Sequence, residues 1–140
     1  MKKLLIVILF LFFNKAFAAD TYKFRHMGKM SGDTIVLGDK STFNHFSYEG
    51  AFSDDEGNFG DIFCRGIREA DRDDNLVNLN VLCELESKDG DKFWARSRRK
   101  DSSLEGGVGY IKVLSALGKF KKLLGAECSY AVLFTKKGGT

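Results

Sequence analysis

Alternation of apolar and polar side chains is the main signal along the chain after residue 21. From Leu76 to Leu85 the odd positions are apolar, and three of the even positions are polar. The apolar set is Val77, Leu79, Val81, Cys83 and Leu85, and the polar set is Asn78, Asn80 and Glu84. Residues 42–52 repeat the pattern with the apolar side chains of Phe46, Tyr48 and Phe52 at even positions. A period of two residues is typical of a β-strand with one buried face, so both segments are predicted strands.

Shorter extended segments and polar turns fill most of the remaining chain. Further strands are predicted at residues 22–27, 34–37, 59–69 and 93–98. Turn-forming residues separate them at 31–33, 38–39, 53–58, 71–75 and 87–91. Short strands divided by Gly, Asp and Asn turns favour an all-β sandwich or barrel. We therefore predict an all-β fold, a six- to eight-stranded antiparallel barrel of lipocalin-like or related type.

Residues 110–124 depart from this pattern. Their apolar side chains recur at steps of three and four, which is the period of an amphipathic helix. Gly118 in the middle disfavours a continuous helix by about 1 kcal/mol relative to alanine. A strand, a turn and a short helical turn are equally compatible, so the predicted fold allows a short helical turn near residues 117–124.

The N-terminus has the layout of a secretory signal peptide. Two lysines precede ten apolar residues, Leu4 to Phe13, and Ala16-Phe17-Ala18 gives the small-x-small pattern of a cleavage site. Ten apolar residues are too few for a spanning helix, which needs about 20. We predict a signal peptide at residues 1–18 and a single domain at 19–140, exported to the periplasm or secreted, with no membrane span after cleavage. A retained anchor or a buried N-terminal helix is the alternative.

Cleavage changes the charge of the chain. The full sequence has 22 basic and 19 acidic residues, a net charge of +3. Lys2, Lys3 and Lys15 lie in the leader, which has no acidic residue, so the remaining domain is neutral. A neutral domain lacks the general attraction to polyanions that nucleic-acid binding requires. No nucleic-acid partner is predicted.

The spacing of the three cysteines favours one disulfide. If Cys64 and Cys83 lie opposite each other in a hairpin, its centre falls between residues 73 and 74, inside the polar turn predicted at 71–75. Directly opposed Cα atoms lie about 4.5–5.5 Å apart, which is within disulfide range. We predict a Cys64–Cys83 bond that stabilises the fold by up to about 3 kcal/mol, and a free, buried thiol at Cys128. The two pairings through Cys128 are the alternatives.

No catalytic, metal or cofactor pattern occurs in the sequence. Nucleophile elbows, zinc signatures and phosphate-binding loops are absent, and His26 and His45 have no ligand spacing. The Asp89-Gly90-Asp91 and 71–75 segments lack the twelve-residue spacing of a calcium loop and are predicted turns. Catalytic residues, metals and cofactors are predicted to be absent.

The densest basic cluster is Arg96 to Lys100. In a strand, Trp94, Arg96 and Arg98 share one face, where the indole and a guanidinium could form a cation–π pair. A solvated strand edge is the simpler interpretation, and a site for an anionic or stacking ligand is the sharper one.

The C-terminal segment resembles a known group of small barrels. Gly118-Lys119-Phe120, then Gly125 and a final strand with Tyr130, is similar to the GTGKF-x-G-x-x-G element of barrels related to allene oxide cyclase and dirigent proteins. Cys64, Cys83 and Asp89-Gly90-Asp91 are similar to secreted bacterial members of that group, and the resemblance covers roughly residues 58–135. Here Ala116 and Leu117 replace Gly-Thr, and Lys122 replaces a glycine. The resemblance implies eight antiparallel strands around an apolar cavity and a homo-oligomer, and it places none of the plant cyclases' catalytic residues on this chain.

Two hypotheses on function follow. The first is an exported, non-enzymatic barrel that binds a small apolar ligand or a protein partner, since aromatic side chains are abundant and catalytic spacing is lacking. The second is a barrel enzyme that templates a cyclisation or a radical coupling, and it depends on the family analogy alone.

Overall fold

A computed structural model describes residues 21–100, 102–104 and 106–134. In this part of the chain one antiparallel sheet accounts for almost all of the regular structure. The strands are β1 Phe24–Val36, β2 Thr42–Asp54, β3 Phe59–Ala70, β4 Asn75–Ser87, β5 Lys92–Arg99, β6 Ser102–Ser103, β7 Gly106–Ala116 and β8 Glu127–Leu133. A 3₁₀ helix, Gly118–Leu123, connects β7 to β8.

The long strands pair in the order β1-β2-β3-β4-β5-β7-β8, and the two-residue β6 pairs with β4. Every pairing is antiparallel, which confirms the all-β prediction. In the described part of the chain β1 and β8 each pair with one neighbour, so the sheet is not closed. Closure into a barrel is therefore not confirmed.

One local prediction was wrong, and the structure decides a second segment for which strand and helix had both been compatible with the sequence. The turn predicted at residues 31–33 is continuous strand, with Gly32 paired to Phe46. The ladder to β2 runs through the Ser-Gly-Asp sequence because every residue of β1 has a partner on β2. Residues 110–116 form a strand and not a helix, because β7 is paired on both sides, to β5 and β8. The short helical turn allowed near 117–124 is present as the 3₁₀ helix.

The sheet is strongly rolled. Phe24 of β1 and Phe93 of β5 are in ring contact, with centroids 6.3 Å apart. Three strands lie between them, and in a flat sheet the four interstrand spacings would separate them by about 19 Å. The face that carries both rings is therefore concave, and we call it the inner face.

Aromatic rings fill one end of the inner face. Phe52 contacts Phe93, and Phe120 of the 3₁₀ helix contacts both, with centroid distances of 5.0–6.4 Å. Leu123 is buried on the same helix, so this helix covers that end of the rolled sheet. Alternate residues of β2 to β5 supply the rest of the core, which comprises Phe46, Ile62, Cys64, Leu79, Val81, Cys83, Leu85 and Ala95 among others.

The predicted disulfide is confirmed. Cys64 and Cys83 are directly paired residues of β3 and β4, bonded with their Cα atoms 4.0 Å apart. The hairpin register follows the prediction from residue 60 to Glu69, and a bulge shifts it only next to the turn. Cys128 is free as predicted, but it is exposed, so the expectation of a buried thiol was wrong. Its strand, β8, ends the pairing order, and among the described residues β7 is its one partner strand.

Two hairpin turns use the same clamp. The carboxylate of Asp54 accepts hydrogen bonds from the backbone N–H groups of Glu56 and Asn58 and from the Asn58 side chain. Asp71 does the same for residue 73 and for Asn75. An aspartate followed four residues later by an asparagine thus closes both turns, because its short side chain reaches the backbone of its own loop.

Of the two glycines Gly118 and Gly125, Gly118 is the one with no room for a side chain. Its φ of 57° lies in the left-handed region, and a side chain there would collide with the Asp91 carboxylate. Gly125 also has a positive φ, 79°, but open space around it. The predicted signal peptide at residues 1–18 lies outside the described residues. Among the helices of residues 21–134 that the structure describes, none has the length and apolar character needed to cross a membrane.

Candidate binding groove

A groove of about 470 Å³ lies on the outer face of the sheet, where β5, β7 and β8 run side by side. We call it the outer groove. It is lined by Arg96, Arg98, Tyr110, Ile111, Lys112, Leu114, Glu127, Cys128 and Ser129.

Strand parity explains why the arginines reach this face. Phe93, Ala95 and Arg99 are buried on the inner side of β5, so Arg96 and Arg98 point outward. The register then places Arg96 opposite Lys112 and Arg98 opposite Tyr110. Three cations and a phenol therefore share one patch, although they come from two segments separated in the sequence.

One of these cations is neutralised and two are not. Lys112 forms an ion pair with Glu127 at 2.6 Å, and this contact holds the pKa of the Glu127 carboxyl below its usual range. Arg96 and Arg98 have no hydrogen bond or ion pair to any residue within the described ranges. The outer groove therefore carries an excess of two positive charges.

The groove also offers apolar surface. Tyr110 is 71% exposed, and Leu114, four residues further along the same strand, is also exposed. An aromatic ring with a hydroxyl provides contact area and a hydrogen bond together, which is the usual composition of binding surfaces. This surface suits a partner that brings both carboxylates and apolar groups.

Trp94 lies on the outer face as predicted, but its indole is hydrogen-bonded to Glu84 and does not line the outer groove. Its indole N–H donates to Oε2 of Glu84 at 2.8 Å, and Lys92 bridges Glu84 and Glu86 at 2.9 and 2.7 Å. The hydrogen bonds from Lys92 and then Trp94 lower the pKa of Glu84. A cation–π stack of Trp94 on Arg96 or Arg98 is not among the ring contacts of the described residues.

The remaining candidate residues make contacts within the fold and do not line the outer groove. Lys119 pairs with Asp89 at 2.7 Å, Phe120 is in the core, and Gly118 and Gly125 shape the ends of the 3₁₀ helix. His26 contacts the hydroxyl of Tyr48 at 2.9 Å through Nδ1. In residues 21–134, as far as the structure describes them, no cluster of three potential metal ligands occurs.

Sequence reasoning found the arginines of the groove but missed Tyr110 and Lys112. Both lie in residues 110–124, where the three- and four-residue periodicity left strand and helix open, and only a strand places them beside β5. No known family, no curated protein and no solved structure matches this chain.

Proposed function

We propose that the protein is an exported, non-catalytic binding module that takes an acidic, extended segment of a protein partner in the outer groove. The single observation that carries the proposal is the pair of unneutralised guanidinium groups, Arg96 and Arg98, beside the exposed Tyr110. The guanidinium fork binds carboxylates through two parallel hydrogen bonds and is the usual cation for such recognition.

The spacing of the arginines suggests which acidic segment fits. Arg96 and Arg98 are two residues apart on one strand, hence about 6.7 Å apart at Cα. Alternate side chains of an extended peptide have the same spacing and point to one side. A partner segment with acidic residues at positions i and i+2 therefore matches both guanidinium groups, with an apolar neighbour on Tyr110.

Aromatic packing at one end of the inner face argues for this groove over an apolar ligand inside the fold. Phe24, Phe52, Phe93 and Phe120 contact one another, so their apolar surface is already used in packing. The cyclase-like alternative needs a polar pair such as His and Glu inside the sheet. The inner-face histidine, His26, contacts Tyr48 and the ring of Phe24, which supports the non-catalytic interpretation.

Export is part of the proposal. The Cys64–Cys83 disulfide supports an oxidising compartment, where such bonds persist, and the leader-like residues 1–18 provide the route. The periplasm and the medium both satisfy this requirement.

A peptide-binding measurement tests the groove. The probe is a fluorescein-labelled nine-residue peptide of alternating Glu and Thr with one Tyr, and fluorescence anisotropy is read at low and at physiological salt. Replacing both guanidinium groups in an R96A/R98A variant should weaken binding about 10-fold or more, since charge-assisted hydrogen bonds contribute roughly 1.5–3 kcal/mol each before solvent screening. The matched control, R25A/R72A, loses the same charge at exposed positions elsewhere and should bind as the wild type does. Equal weakening in both variants, or no binding by the wild type, would contradict the proposal.

Native mass spectrometry of protein from its own host tests the alternative, since a co-purifying apolar molecule would favour an internal ligand.

We also propose that the rolled sheet is an open barrel whose β1 edge pairs with β1 of a second copy. β1 has thirteen residues, of which only Phe24 is even partly buried, and its exposed side chains include Met27, Met30, Ile35 and Val36. A long exposed edge with apolar side chains is a template for strand addition.

The backbone groups at this edge can be assigned by following the ladders. Cys64 and Cys83, with Cα atoms 4.0 Å apart, form a narrow pair whose backbone groups point away from each other. Alternation then makes Tyr48 and Cys64 a hydrogen-bonded pair and Met30 and Tyr48 a narrow one. Even residues of β1, Met30 included, therefore direct their N–H and C=O groups to the open edge.

In a two-fold symmetric dimer of antiparallel β1 strands, the even residues of one copy must hydrogen-bond to even residues of the other. The two numbers of each opposed pair then add up to an even number, so one residue lies opposite its own copy on the symmetry axis. An axis at Ser31 places Lys29 opposite Asp33 of the second copy, and Met27 opposite its Ile35. Each charged pair and each apolar pair then occurs twice. This register pairs opposite charges with each other and apolar side chains with each other, and this double match supports a homodimer.

A further inference from the structure

A row of polar side chains crosses the inner face at the end of the sheet away from the 3₁₀ helix. Each residue of the row is paired directly with the next one on the neighbouring strand. The pair of Arg99 and Gly109 follows when the Arg98–Tyr110 register is extended by one residue. The row consists of Thr34, Asn44, Arg68, Leu79, Arg99, Gly109 and Tyr130, one from each of β1, β2, β3, β4, β5, β7 and β8.

The row gathers most of the unsatisfied polar atoms of the fold. In the described part of the chain, buried side-chain atoms without a hydrogen-bond partner occur in Asn44, Ser87, Arg99 and Tyr130. Three of these four residues belong to the row. Buried polar groups in folded proteins are nearly always paired, so such a concentration indicates that these residues share a partner.

Arg99 is the most demanding member. It is 3% exposed, and none of its three guanidinium nitrogens has a hydrogen-bond partner within the described residues. Burial lowers the pKa of this guanidinium, and the nearby cation Arg68 acts in the same direction, whereas Tyr130 opposes it. The Phe134 ring, 5.9 Å from its Cζ, is the contact that partly compensates the charge.

The groups around Arg99 are donors. The Tyr130 hydroxyl is buried and unpartnered, and its ring lies over Gly109, where a Cβ would be 2.5 Å from Cε1 of the ring. Gly109 thereby lets the phenol approach the strand that carries Arg99. Arg68, only partly buried on the other side of Leu79, adds a second cation with access to solvent.

We propose that this end of the inner face is a binding site for an oxyanion, a carboxylate or a phosphate group of a small ligand. Arg99 binds two of its oxygens through the guanidinium fork, the Tyr130 hydroxyl donates to the same group, and Arg68 neutralises it from the solvent side. This site lies on the face opposite the outer groove and does not depend on the function proposed for that groove.

Calorimetric titration with inorganic phosphate and with acetate, at constant ionic strength set by sodium chloride, tests the site. Wild-type protein should bind at least one of the two anions, and the same anion should raise Tm. An Arg99→Met variant should lose at least 10-fold in affinity, and without the anion it should be no less stable than the wild type, because an unpaired buried charge has been removed. A merely structural arginine would instead lose stability.

Tyr130→Phe keeps the ring and removes one donor, so it should weaken binding about 5-fold while folding normally. Arg72→Met, at an exposed turn, is the charge-matched control and should bind as the wild type does. The proposal is wrong if the wild type binds neither anion, if Arg99→Met retains full affinity, or if the Arg72 control loses as much as the Arg99 variant. Should Arg99→Met fail to fold, Tyr130→Phe decides: unchanged affinity overturns the site.

Discussion

Phe24 and Phe93 lie edge to face, 6.3 Å apart, although they belong to strands separated by three others. Their contact fixes the curvature of the sheet, because it can form only if β1 is rolled over towards β5. The outer groove lies on the outer face of β5, β7 and β8 of this curved sheet, and the polar row crosses its inner face.

Phe93→Ala should therefore be strongly destabilising. The ring is 4% exposed and contacts Phe24, Phe52 and Phe120, so its removal leaves a cavity at the centre of the cluster. We expect a loss of about 3–5 kcal/mol in the free energy of unfolding, measured by urea titration. Phe63→Ala, on the exposed outer face of β3, is the matched control and should lose far less. Equal losses of stability in the two variants would mean that the aromatic cluster does not stabilise the curvature of the sheet.

The disulfide should stabilise the fold by constraining the unfolded chain. Its two cysteines are 19 residues apart, so replacing both with serine should lower the free energy of unfolding by about 3 kcal/mol. Reduction of the wild type should lower Tm to a similar extent. Cys128→Ser removes a free, exposed thiol and should leave stability unchanged. A double variant as stable as the wild type would show that the bridge is dispensable.

The Asp54 clamp should make stability fall in acid. Burial opposes ionisation of Asp54, but hydrogen bonds from Asn58 and Tyr22 outweigh it, so the pKa of this carboxyl lies below its ordinary value of 3.8. A group with a lowered folded pKa stabilises the fold above its unfolded pKa, and the contribution is lost as pH falls through the folded value. Asp54→Asn should therefore be less stable than the wild type by about 1–2 kcal/mol at pH 7, and the difference should shrink near pH 2. Asp61→Asn removes a carboxylate at an exposed strand position and, as the matched control, should leave the free energy of unfolding at pH 7 nearly unchanged.

Charge reversal should test the β1 pairing. Lys29→Asp places two aspartates opposite each other twice in the dimer, and Asp33→Lys places two lysines there, so each single variant should shift the dimer towards monomer by roughly 10-fold in dissociation constant. The Lys29→Asp/Asp33→Lys double variant restores complementary pairs and should dimerise like the wild type. Analytical ultracentrifugation measures all four proteins. A wild type that stays monomeric at high micromolar concentration, or a double variant weaker than both singles, would exclude this register.

Predictions from the sequence succeeded where a local pattern decides the structure. Alternation in residues 76–85 and the Asp-to-Asn turn at 71–75 both mark the β3–β4 hairpin, and the cysteine spacing agrees with them, so strands, register and disulfide were all predictable. Residues 110–116 were not, because a strand at this position is held by ladders to β5 and β8, whereas its own apolar spacing is that of a helix.

The polar row could not be predicted from the sequence, because it also depends on pairing between segments that are distant along the chain. Arg99 appeared only as one residue of a basic cluster, and its burial follows from strand parity set by Phe93 and Ala95. Its relation to Asn44 and Tyr130 depends on the registers of successive ladders together. Closure of the sheet into a barrel was predicted from the strand pattern and from the resemblance, whereas the pairing order of the described residues leaves β1 with β2 as its one partner.

The central claim is that the outer groove binds an acidic segment through Arg96 and Arg98. The most direct measurement is NMR titration of ¹⁵N-labelled protein with the Glu-Thr peptide, observing the arginine Nε–H resonances. We expect saturable shifts of the Arg96 and Arg98 resonances and of the backbone amides of Tyr110 and Lys112, while the resonances of Arg25 and Arg72 stay unchanged. Peptide binding that shifts Arg25 or Arg72 and leaves Arg96 and Arg98 unmoved would contradict the central claim.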